Sequence, residues 1–438
     1  MTNALIRKLK YVPITELRPD PRNPRKHGRA QIQAIAKSIK AFGFNAPILI
    51  DKGGRVLAGH GRLEAAKLLE LAQVPVISLE NLTEAQARAY MLADNKLTDR
   101  SCWDDELLAV HLKELSEIAL DFDVEASGFE LPEIDFRIQT LDTPENADEA
   151  DEFRVPDGPA VSRLGDVWHL GQHRLHCGSA LDPAAYAILL GEAKAAAVFT
   201  DPPYNLKIDG HVSGLGERRH REFAMASGEM TEDEFTAFLT KTFEFAKNHT
   251  NPGALIYACI DWRHLGEMHA AGAASKFDML NLCVWVKNNG GMGAFYRSKH
   301  ELIFVFRNGS APHRNNVQLG RFGRNRTNVW NYAGANSFPR KGQKSGLDLH
   351  PTVKPIALVA DAILDSTARE EVVLDPYLGS GTTILAAERT GRRGYGIEID
   401  PLYVDTAIRR WESMTGNQVH HASGPTFSDI ASDRVAAE

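Results

Sequence analysis

The chain has 438 residues and a formal net charge of −7, with the hydrophobic, charged and glycine content of an ordinary globular protein. This length exceeds that of most single hydrophobic cores, so two or three domains are expected. No apolar run reaches transmembrane length, and the N-terminus lacks the apolar stretch and cleavage site of a secretory signal. The four scattered cysteines predict a reduced, cytoplasmic setting without a zinc site or a disulfide framework.

The distribution of charge along the chain says more than its sum. Residues 104–158 contain eighteen acidic and three basic residues, whereas residues 287–344 contain eleven basic residues and one acid, Glu301. The first segment therefore predicts an acidic connector and the second a basic surface.

The first part of the chain, residues 1–120, alternates strand and helix signals and predicts a small α+β domain. Residues 30–44 carry apolar side chains at helical spacing and predict a helix that ends near Gly43. Residues 46–51 and 55–59 flank a Gly-Gly turn and predict a β-hairpin. Two further helices are predicted over residues 61–72 and 83–97. An acidic, proline-bearing linker is predicted over residues 121–160.

The second part, residues 161–417, predicts a doubly wound α/β domain. A hairpin-like segment, residues 165–178, is followed by strand signals with helices between several of them. The predicted strands are residues 195–200, 253–260, 280–287, 300–306, 371–375 and 394–399. The final residues, 418–438, predict a disordered tail.

Glycines follow one of these strands in a pattern typical of nucleotide-type ligands. The strand ends at Asp375, a turn contains Gly379 and Gly381, and the next strand ends in Glu398. Glycines at such a turn let the backbone approach a ligand, and the acid can bind ribose hydroxyls. The turn lacks the lysine of a Walker loop and the full G-x-G-x-x-G pattern. It favours an adenosine-containing cofactor and leaves a nicotinamide cofactor open.

Two proline motifs accompany the glycine turn. HPTVKP, residues 350–355, precedes a predicted helix, where its threonine and lysine could hold a carboxylate or simply form a stiffened turn. The strand of residues 195–200 runs into Asp201-Pro202-Pro203-Tyr204, and prolines cannot donate ladder hydrogen bonds. The carboxyl end of a parallel strand lies at the ligand-binding edge of an α/β sheet. This position predicts a site there, although an ordinary turn would also explain the prolines.

Together, DPPY, the basic region, HPTVKP and DPYLGSGTT resemble the amino-methylating DNA methyltransferases of the β class, which use S-adenosylmethionine. The resemblance covers about residues 164–414 and includes YRSKHELIFVFRNG. It implies a doubly wound methyltransferase sheet and methyl transfer to the exocyclic N6 of adenine in duplex DNA, by base flipping and direct in-line transfer. Aspartate in the first motif position favours adenine, and N4 of cytosine is the alternative.

The resemblance also assigns roles to residues. Asp201 and the Pro202 carbonyl, held by Pro203, would accept the hydrogens of the target amine, and Tyr204 would stack on the base. The implied cofactor contacts are Asp375, Pro376, Gly379, Ser380, Gly381, Thr382, Glu398, His350, Thr352 and Lys354. The implied DNA contacts come from two places. Lys207 lies in the loop after the DPPY motif, and the basic region, about residues 287–344, supplies Arg297, Lys299, Arg314, Arg321, Arg324 and Arg326. One departure is Gly178-Ser179, where related enzymes often carry Gly-Asp; Asp182 could substitute.

The N-terminal domain carries a second resemblance. ITELRPDPRNPR, VLAGHGRLEAAKLL and LTEAQARAYMLADN resemble the ParB/sulfiredoxin-like domain. The phosphate-contacting box of ParB relatives reads Gly59-His60-Gly61-Arg62 here and keeps only the first glycine and the last arginine. The reactive cysteine of sulfiredoxins is absent. The resemblance therefore implies the fold without nuclease, nucleotide-hydrolysis or reductase activity.

Other classes of protein explain less of the sequence. A DNA-binding regulator with a vestigial methyltransferase domain would not need intact acceptor and cofactor motifs. A nicotinamide-dependent oxidoreductase would leave DPPY and HPTVKP unexplained, and no H-x-E with P-C-x-x-C indicates a zinc deaminase. No metal is predicted, and the sequence leaves open whether the protein is a homodimer and whether a restriction enzyme accompanies it.

Overall fold

The structure, a computed structural model, describes residues 8–98, 103–118, 120–141, 149–151, 153, 155, 158–205, 228–287, 295–318, 326–332 and 354–436. The chain divides into two compact units, residues 1–143 and residues 144–438, here called the first unit and the second unit. The predicted fold classes, α+β for the first and α/β for the second, are confirmed.

The described residues of the first unit form a five-stranded mixed sheet and five α-helices. Its strands are β1 (Leu9–Pro13), β2 (Arg18–Pro19), β3 (Ile48–Ile50), β4 (Arg55–Ala58) and β5 (Gln73–Ser78), in the sheet order β1-β5-β3-β4-β2. Its helices are α1 (Arg29–Phe42), α2 (His60–Leu68), α3 (Glu84–Thr98), α4 (Asp105–Glu117) and α5 (Leu131–Leu141). The predicted hairpin is the antiparallel pair β3–β4, and its inward side chains form a core with α2.

Part of the predicted acidic linker is helical. Within residues 121–160, α5 covers residues 131–141, and its Ile134 is buried against Leu108 and Leu112 of α4. The prediction was wrong here because Ile134 and Ile138 are spaced to share one helical face among many acids. A short apolar stripe is enough to dock a helix on a neighbour even where charged residues dominate the composition.

In the second unit, the part of the chain that the structure describes forms a ten-stranded sheet with helices on both faces. Its strands are β6 (Val167–Leu170), β7 (His173–Cys177), β8 (Ala195–Thr200), β9 (Thr250–Ile260), β10 (Phe277–Val286), β11 (His300–Asn308), β12 (Val329–Asn331), β13 (Val372–Asp375), β14 (Arg393–Glu398) and β15 (His420–His421). Its helices are α6 (Pro183–Leu190), α7 (Glu232–Asn248), α8 (Leu265–Ala274), α9 (Ile356–Ser366), α10 (Thr382–Arg389), α11 (Pro401–Thr415) and α12 (Phe427–Ala436). The sheet order is β12-β10-β11-β9-β8-β13-β14-β7-β6-β15.

The strands of the second unit show why both faces of this sheet are covered. Along β11, Ile303 and Val305 pack into one buried cluster, while Phe304 and Phe306 pack into the other. Successive side chains of a strand point to opposite faces, so a strand that is apolar at every position needs a helix layer on each side. Helices α9 and α11 contribute to the first cluster, and α6, α7 and α8 contribute to the second.

Four neighbouring parallel strands define the edge that matters for function. In the order β9-β8-β13-β14, each strand pairs in parallel with the next, so their carboxyl ends meet at one edge of the sheet. The residues that leave this edge include Asp201 after β8, the turn after Asp375 in β13, and Glu398 in β14. Ligands of open α/β sheets bind at this edge.

The predicted disordered tail is ordered through residue 436. Strand β15 pairs antiparallel with β6, and α12 buries Phe427 against Trp168, with ring centroids 5.3 Å apart. Arg434 donates to the carboxylate of Asp166 at 2.6 and 3.0 Å. The sequence signal was weak because one phenylalanine and one valine, Val419, provide most of the buried apolar surface in a polar stretch.

Replacing Phe427 with alanine is expected to lower the free energy of unfolding of the second unit by about 3 kcal/mol, because the ring is 5% exposed. Denaturant unfolding monitored by tryptophan fluorescence measures this change. Phe295, which is 88% exposed, provides the matched control, and Phe295→Ala should stay within about 0.5 kcal/mol of the wild type. Equal stability of both variants would contradict the structural role of α12.

Candidate active site

The Asp-Pro-Pro-Tyr motif begins where the ladder of β8 stops. Thr200 is the last residue of β8 and pairs with Ala258 of β9, and the two prolines follow Asp201 outside the ladder. The loss of two backbone donors therefore leaves no strand hydrogen bond unmade. The Tyr204 hydroxyl donates to Asp201 Oδ1 at 2.5 Å, which folds the motif back on itself. The motif therefore lies at the carboxyl edge of the sheet, where the sequence predicts it.

A cluster of charged side chains surrounds Asp201. The Lys354 ammonium, which stands just before α9, lies 2.5 Å from Asp201 Oδ2 and 3.0 Å from Glu301 Oε2. Lys287 also forms an ion pair with Glu301. Lys354 and Glu301 are both buried, so their charges are compensated mainly by one another and by these partners. We call Asp201, Tyr204, Lys287, Glu301 and Lys354 the acceptor cluster.

Within the acceptor cluster, the pKa values of Asp201, Glu301 and Lys354 are shifted in different directions. Burial would raise the pKa of Glu301, but Lys354 and Lys287 outweigh it and lower this pKa to about 2. Burial raises the pKa of Asp201; Lys354 opposes this effect and Glu301 adds to it. Burial acts against the charge of Lys354, yet Asp201 and Glu301 together raise its pKa. Glu301 and Lys354 are therefore charged at neutral pH, whereas the pKa of Asp201 is raised.

The glycine turn after β13 lies on the next strand of the same edge. Thr383 donates to Asp375 Oδ2 at 2.6 Å, and the Gly379 N–H donates to Glu398 Oε2 at 2.8 Å. The second contact ties the turn to the end of β14. Gly381 has a φ of +93° and directly precedes α10, so the turn ends in a left-handed residue that starts the helix.

Two acids frame this turn, and burial changes the protonation of both. Burial raises the pKa of Asp375 to about 7, against hydrogen bonds from Thr383 and from the Tyr377 N–H. Burial also raises the pKa of Glu398 to about 7, although the backbone N–H groups of Asp400 and Gly379 donate to it. Both carboxylates therefore change protonation near neutral pH, which is unusual for surface acids and common in binding sites.

Arg410 supports the glycine turn and was missed by the sequence reasoning. From α11, its guanidinium donates to Ser380 O at 2.8 Å and to Ser380 Oγ at 2.9 Å. It also lies 3.4 Å from Thr382 Oγ1 and donates to the Ala150 carbonyl. Ser380 and Thr382, predicted as cofactor contacts, thus bind Arg410. No local pattern marks such an arginine, because its partners Ser380 and Thr382 lie about thirty residues earlier in the chain and Ala150 lies much further away.

The predicted site residues meet different outcomes. Asp201, Pro202, Pro203 and Tyr204 lie beside the turn that carries Asp375, Pro376, Gly379, Ser380, Gly381 and Thr382, with Glu398 on the adjoining strand. Lys354, predicted to bind a cofactor carboxylate, contacts Asp201 and Glu301 instead. His350, Thr352, Lys207, Arg321 and Arg324 lie outside the described residues.

Two predicted DNA contacts have structural partners. Arg326 is largely buried, with Nη1 2.7 Å from Asp361 Oδ2 and Nε 3.0 Å from Asp365 Oδ2. Although burial opposes its charge, these two carboxylates raise the pKa of Arg326. Arg314 pairs with Glu371 at 3.1 Å, at the amino end of β13 and away from the Asp375 edge. The prediction of DNA contact is corrected for Arg326, because two buried carboxylates distant in sequence already bind its guanidinium. For Arg314, whose side chain is exposed, DNA contact stays a prediction.

Arg297 and Lys299 retain the exposure that the prediction requires. Both are exposed immediately before β11, and β11 begins at the edge where Glu301 joins the acceptor cluster. The Lys299 carbonyl accepts a hydrogen bond from the Lys287 N–H at 2.9 Å, which links this segment to the cluster. These two side chains are thus the described members of the predicted DNA surface that lie at the site.

The remaining motif residues have local structural roles. Asp182, which could have replaced the missing family acid, accepts from the Ala184 N–H and caps α6. In the first unit, His60 Nε2 accepts from the Asp20 N–H at 3.3 Å, and burial lowers the pKa of His60. Arg62 donates to the Pro47 carbonyl at 3.3 Å. Among the described residues there is no cluster of metal-ligating side chains, and no helix is long and apolar enough to cross a membrane.

Comparison with known proteins agrees with this geometry. Residues 195–409 match the family model for DNA methylase, residues 3–96 the ParB N-terminal domain, and residues 106–164 the ParB-methyltransferase HTH domain. The chain is 46% identical over 79 residues to the ParB-like nuclease domain-containing protein YnaK of Escherichia coli (strain K12), covering 18% of this chain and 91% of that protein.

The methylase part has relatives of its own. It is 28% identical over 228 residues to the type II methyltransferase M2.DpnII of Streptococcus pneumoniae, which is 49% of this chain and 82% of that protein. The crystal structure of the M1.HpyAVI–SAM complex matches 54% of this chain and 97% of that chain, with 21% identity and a TM-score of 0.37.

The fold and the site define a DNA methyltransferase, built on a doubly wound sheet with a glycine turn beside an Asp-Pro-Pro-Tyr edge. More particularly, residues 195–409 form an amino-methyltransferase domain of the N6/N4 DNA methylase type, and a ParB-like domain precedes it in the chain.

Proposed function

We propose that this protein transfers a methyl group from S-adenosylmethionine to the exocyclic N6 of adenine in duplex DNA, in the cytoplasm. The observation that carries the proposal is the placement of Asp201 and the glycine turn on neighbouring parallel strands, β8 and β13. This arrangement brings an acceptor for an amine and a turn suited to an adenosine cofactor to one edge of one sheet. Each of the two motifs alone would be compatible with other chemistry.

The residues of the second unit fit the proposed cofactor. A Cβ built on Gly379 would meet no atom within 4 Å, so there is open space over the turn at this residue. Glu398 ends the adjoining strand, where its carboxylate could accept hydrogen bonds from two ribose hydroxyls. Asp375 and the backbone of Ser380 and Gly381 complete the proposed contacts. When bound, S-adenosylmethionine supplies an electrophilic methyl group, whose carbon–sulfur bond breaks as the new nitrogen–carbon bond forms.

Asp201 and the Pro202 carbonyl prepare the target nitrogen. An exocyclic amine is a poor nucleophile because its lone pair is delocalised into the ring. Two acceptors that bind its two hydrogens favour a pyramidal nitrogen, whose lone pair is then free for transfer. As the nitrogen–carbon bond forms, the nitrogen loses one proton to Asp201. Positioning and electrostatic stabilisation can supply much of the rate, so no covalent enzyme intermediate is needed.

The target base must leave the duplex to reach these acceptors. Unstacking and unpairing cost a few kcal/mol, which stacking on Tyr204 and hydrogen bonds to the base edge would offset. Arg297 and Lys299, exposed at the same edge, are suited to contact phosphates on either side of the extruded nucleotide. Lys207, Arg321 and Arg324 remain predicted DNA contacts of the same kind.

The choice of base is tested by incubating the purified protein with labelled S-adenosylmethionine and unmethylated genomic DNA and analysing the nucleosides. We expect label in N6-methyladenine. Label in N4-methylcytosine would select cytosine as the target base instead. Absence of both products, with cofactor binding intact, would contradict the proposed activity and favour a DNA-binding regulator.

The affinity for S-adenosylmethionine is expected to fall below pH 7. The pKa of Glu398 is raised to about 7, so the ionised acceptor of the ribose hydroxyls is present above this pH and is lost as the pH falls. Linkage gives a loss of up to about tenfold per pH unit below 7. Isothermal titration calorimetry between pH 5.5 and 8.5 measures it. Glu398→Gln should bind more weakly with a flatter profile, and a wild-type affinity independent of pH would contradict the role of Glu398.

A further inference from the structure

Glu301 has no role in the proposal so far, yet it lies at the centre of the acceptor cluster. It is the second residue of β11, is 8% exposed, and is the one acid in the basic region of residues 287–344. The antiparallel pairing of β10 with β11 places Trp285 opposite Glu301, so Lys287 emerges next to it. Its carboxylate contacts Lys287 and Lys354, and Oε2 lies 3.3 Å from the Tyr204 hydroxyl.

The Tyr204 hydroxyl has two carboxylates within reach and one hydrogen to donate. Asp201 Oδ1 is at 2.5 Å and Glu301 Oε2 is at 3.3 Å. Lys354 Nζ donates to the same hydroxyl oxygen at 3.2 Å and to Asp201 Oδ2. Both oxygens of Asp201 therefore already accept short hydrogen bonds. A target amine that binds Oδ1 must compete with the hydroxyl of Tyr204.

We propose that Glu301 is a positioning residue for methyl transfer. It accepts the hydrogen bond of the Tyr204 hydroxyl when the target amine donates to Asp201 Oδ1 in its place, and it holds Lys354 by an ion pair throughout the reaction. This inference rests on the proposed function and concerns the same site. Tyr204 is partly buried, and once a base covers it a hydroxyl that lost its acceptor without another in reach would be left unsatisfied, which costs about 1–3 kcal/mol. Glu301 removes this cost, so the acceptor can be released without disordering the tyrosine that stacks on the base.

Charge gives the same residue a second measurable consequence. The titratable groups that face Asp201 are Tyr204 from its own segment, Glu301 from β11, Lys354 before α9, Asp375 from β13 and the buried thiol of Cys259 from β9. Glu301 raises the pKa of Asp201, whereas Lys354 lowers it. Removing the charge of Glu301 should therefore lower that pKa, and removing the charge of Lys354 should raise it. Transfer needs an ionised Asp201, so activity is lost as the pH falls through this value.

The experiment measures kcat, KM for S-adenosylmethionine and the pH profile of kcat for Glu301→Gln and Lys354→Met. For Glu301→Gln we expect kcat to fall about tenfold or more, KM for the cofactor to stay within about twofold, and the acidic limb to move to lower pH. Lys354→Met should move the acidic limb to higher pH. Opposite shifts from two neighbours of one carboxylate would not follow from a general loss of structure.

Controls separate positioning from folding. Glu388→Gln is the matched substitution, because Glu388 pairs with buried His173 at 2.8 Å in the last turn of α10, and it should leave kcat and the acidic limb unchanged. The Tyr204→Phe variant has no hydroxyl that could donate to Glu301. In this variant, Glu301→Gln should therefore lower kcat less than it does in the wild type. If Glu301→Gln does not fold, Glu301→Asp replaces it; the retained charge should hold the limb in place while kcat falls.

Two outcomes would overturn the inference. One is a Glu301→Gln protein with wild-type kcat and an unmoved acidic limb; the other is an equal loss of kcat with and without the Tyr204 hydroxyl. Either result leaves the proposed function intact, since the wild type would still methylate DNA. Failure of the proposed function is recognised separately, by a wild-type protein that binds cofactor and yields no methylated nucleoside.

Discussion

Asp201→Ala is expected to reduce methyl transfer at least about 10³-fold while leaving the affinity for duplex DNA within about twofold. The substitution removes one of the two proposed acceptors for the amine, and preorganised groups of this kind are typically worth 10²–10³-fold or more. A 10³-fold loss corresponds to about 4 kcal/mol of transition-state stabilisation. Single-turnover transfer assays and fluorescence anisotropy with labelled duplex measure the two quantities.

A control acid shows whether this effect is specific to the site. Asp278 lies on β10, is largely exposed and pairs with Arg307 outside the acceptor cluster. Asp278→Ala should therefore retain full transfer activity. A near-wild-type rate for Asp201→Ala would contradict the assignment of the acceptor, because transfer would then proceed without the Asp201 carboxylate.

Gly381→Ala is expected to weaken S-adenosylmethionine binding at least about 30-fold and to lower the free energy of unfolding by about 1–3 kcal/mol. Gly381 has a φ of +93°, and an added Cβ would lie 2.7 Å from the Cβ of Ala407 on α11. The turn must then move away from α11, which also carries Arg410, its main hydrogen-bond support. Titration calorimetry and thermal unfolding measure both effects.

Gly416 is the matched glycine for this experiment. It follows α11 with a φ of +73°, and an added Cβ would meet no atom within 4 Å. Gly416→Ala should thus cost about 1 kcal/mol of stability through backbone strain and leave cofactor affinity unchanged. Equal cofactor affinities for the two variants would show that the glycine turn does not contact the cofactor.

Motifs that act through local chain geometry were predictable from the sequence. The proline break after residues 195–200 and the glycine turn between two strands each report on a few consecutive residues, and both lie at the expected edge. The alternation of strands and helices predicted an α/β sheet with a ligand site at the carboxyl edge of its strands. The direct pairing of the two strands that carry the motifs, β8 and β13, is a finding of the structure. Fold class and the position of the site followed from these patterns.

Partnerships across the fold were not predictable in the same way. Glu301 and Lys287 meet through the pairing of β10 with β11, and Arg326 finds its two aspartates on α9 more than thirty residues later. A run of basic residues looks the same in sequence whether each arginine faces DNA or a buried acid. Lys354 likewise was expected to hold a cofactor carboxylate, and only its position in the folded chain, just before α9, reveals Asp201 and Glu301 as its partners.

The most direct test of the account compares the wild type with Asp201→Ala in a host whose DNA carries no adenine methylation. After expression, host DNA is digested to nucleosides and quantified by mass spectrometry. We predict N6-methyldeoxyadenosine in DNA from cells with the wild type and none above background with Asp201→Ala. N4-methyldeoxycytidine as the sole product, or equal N6-methyldeoxyadenosine from both proteins, would contradict it.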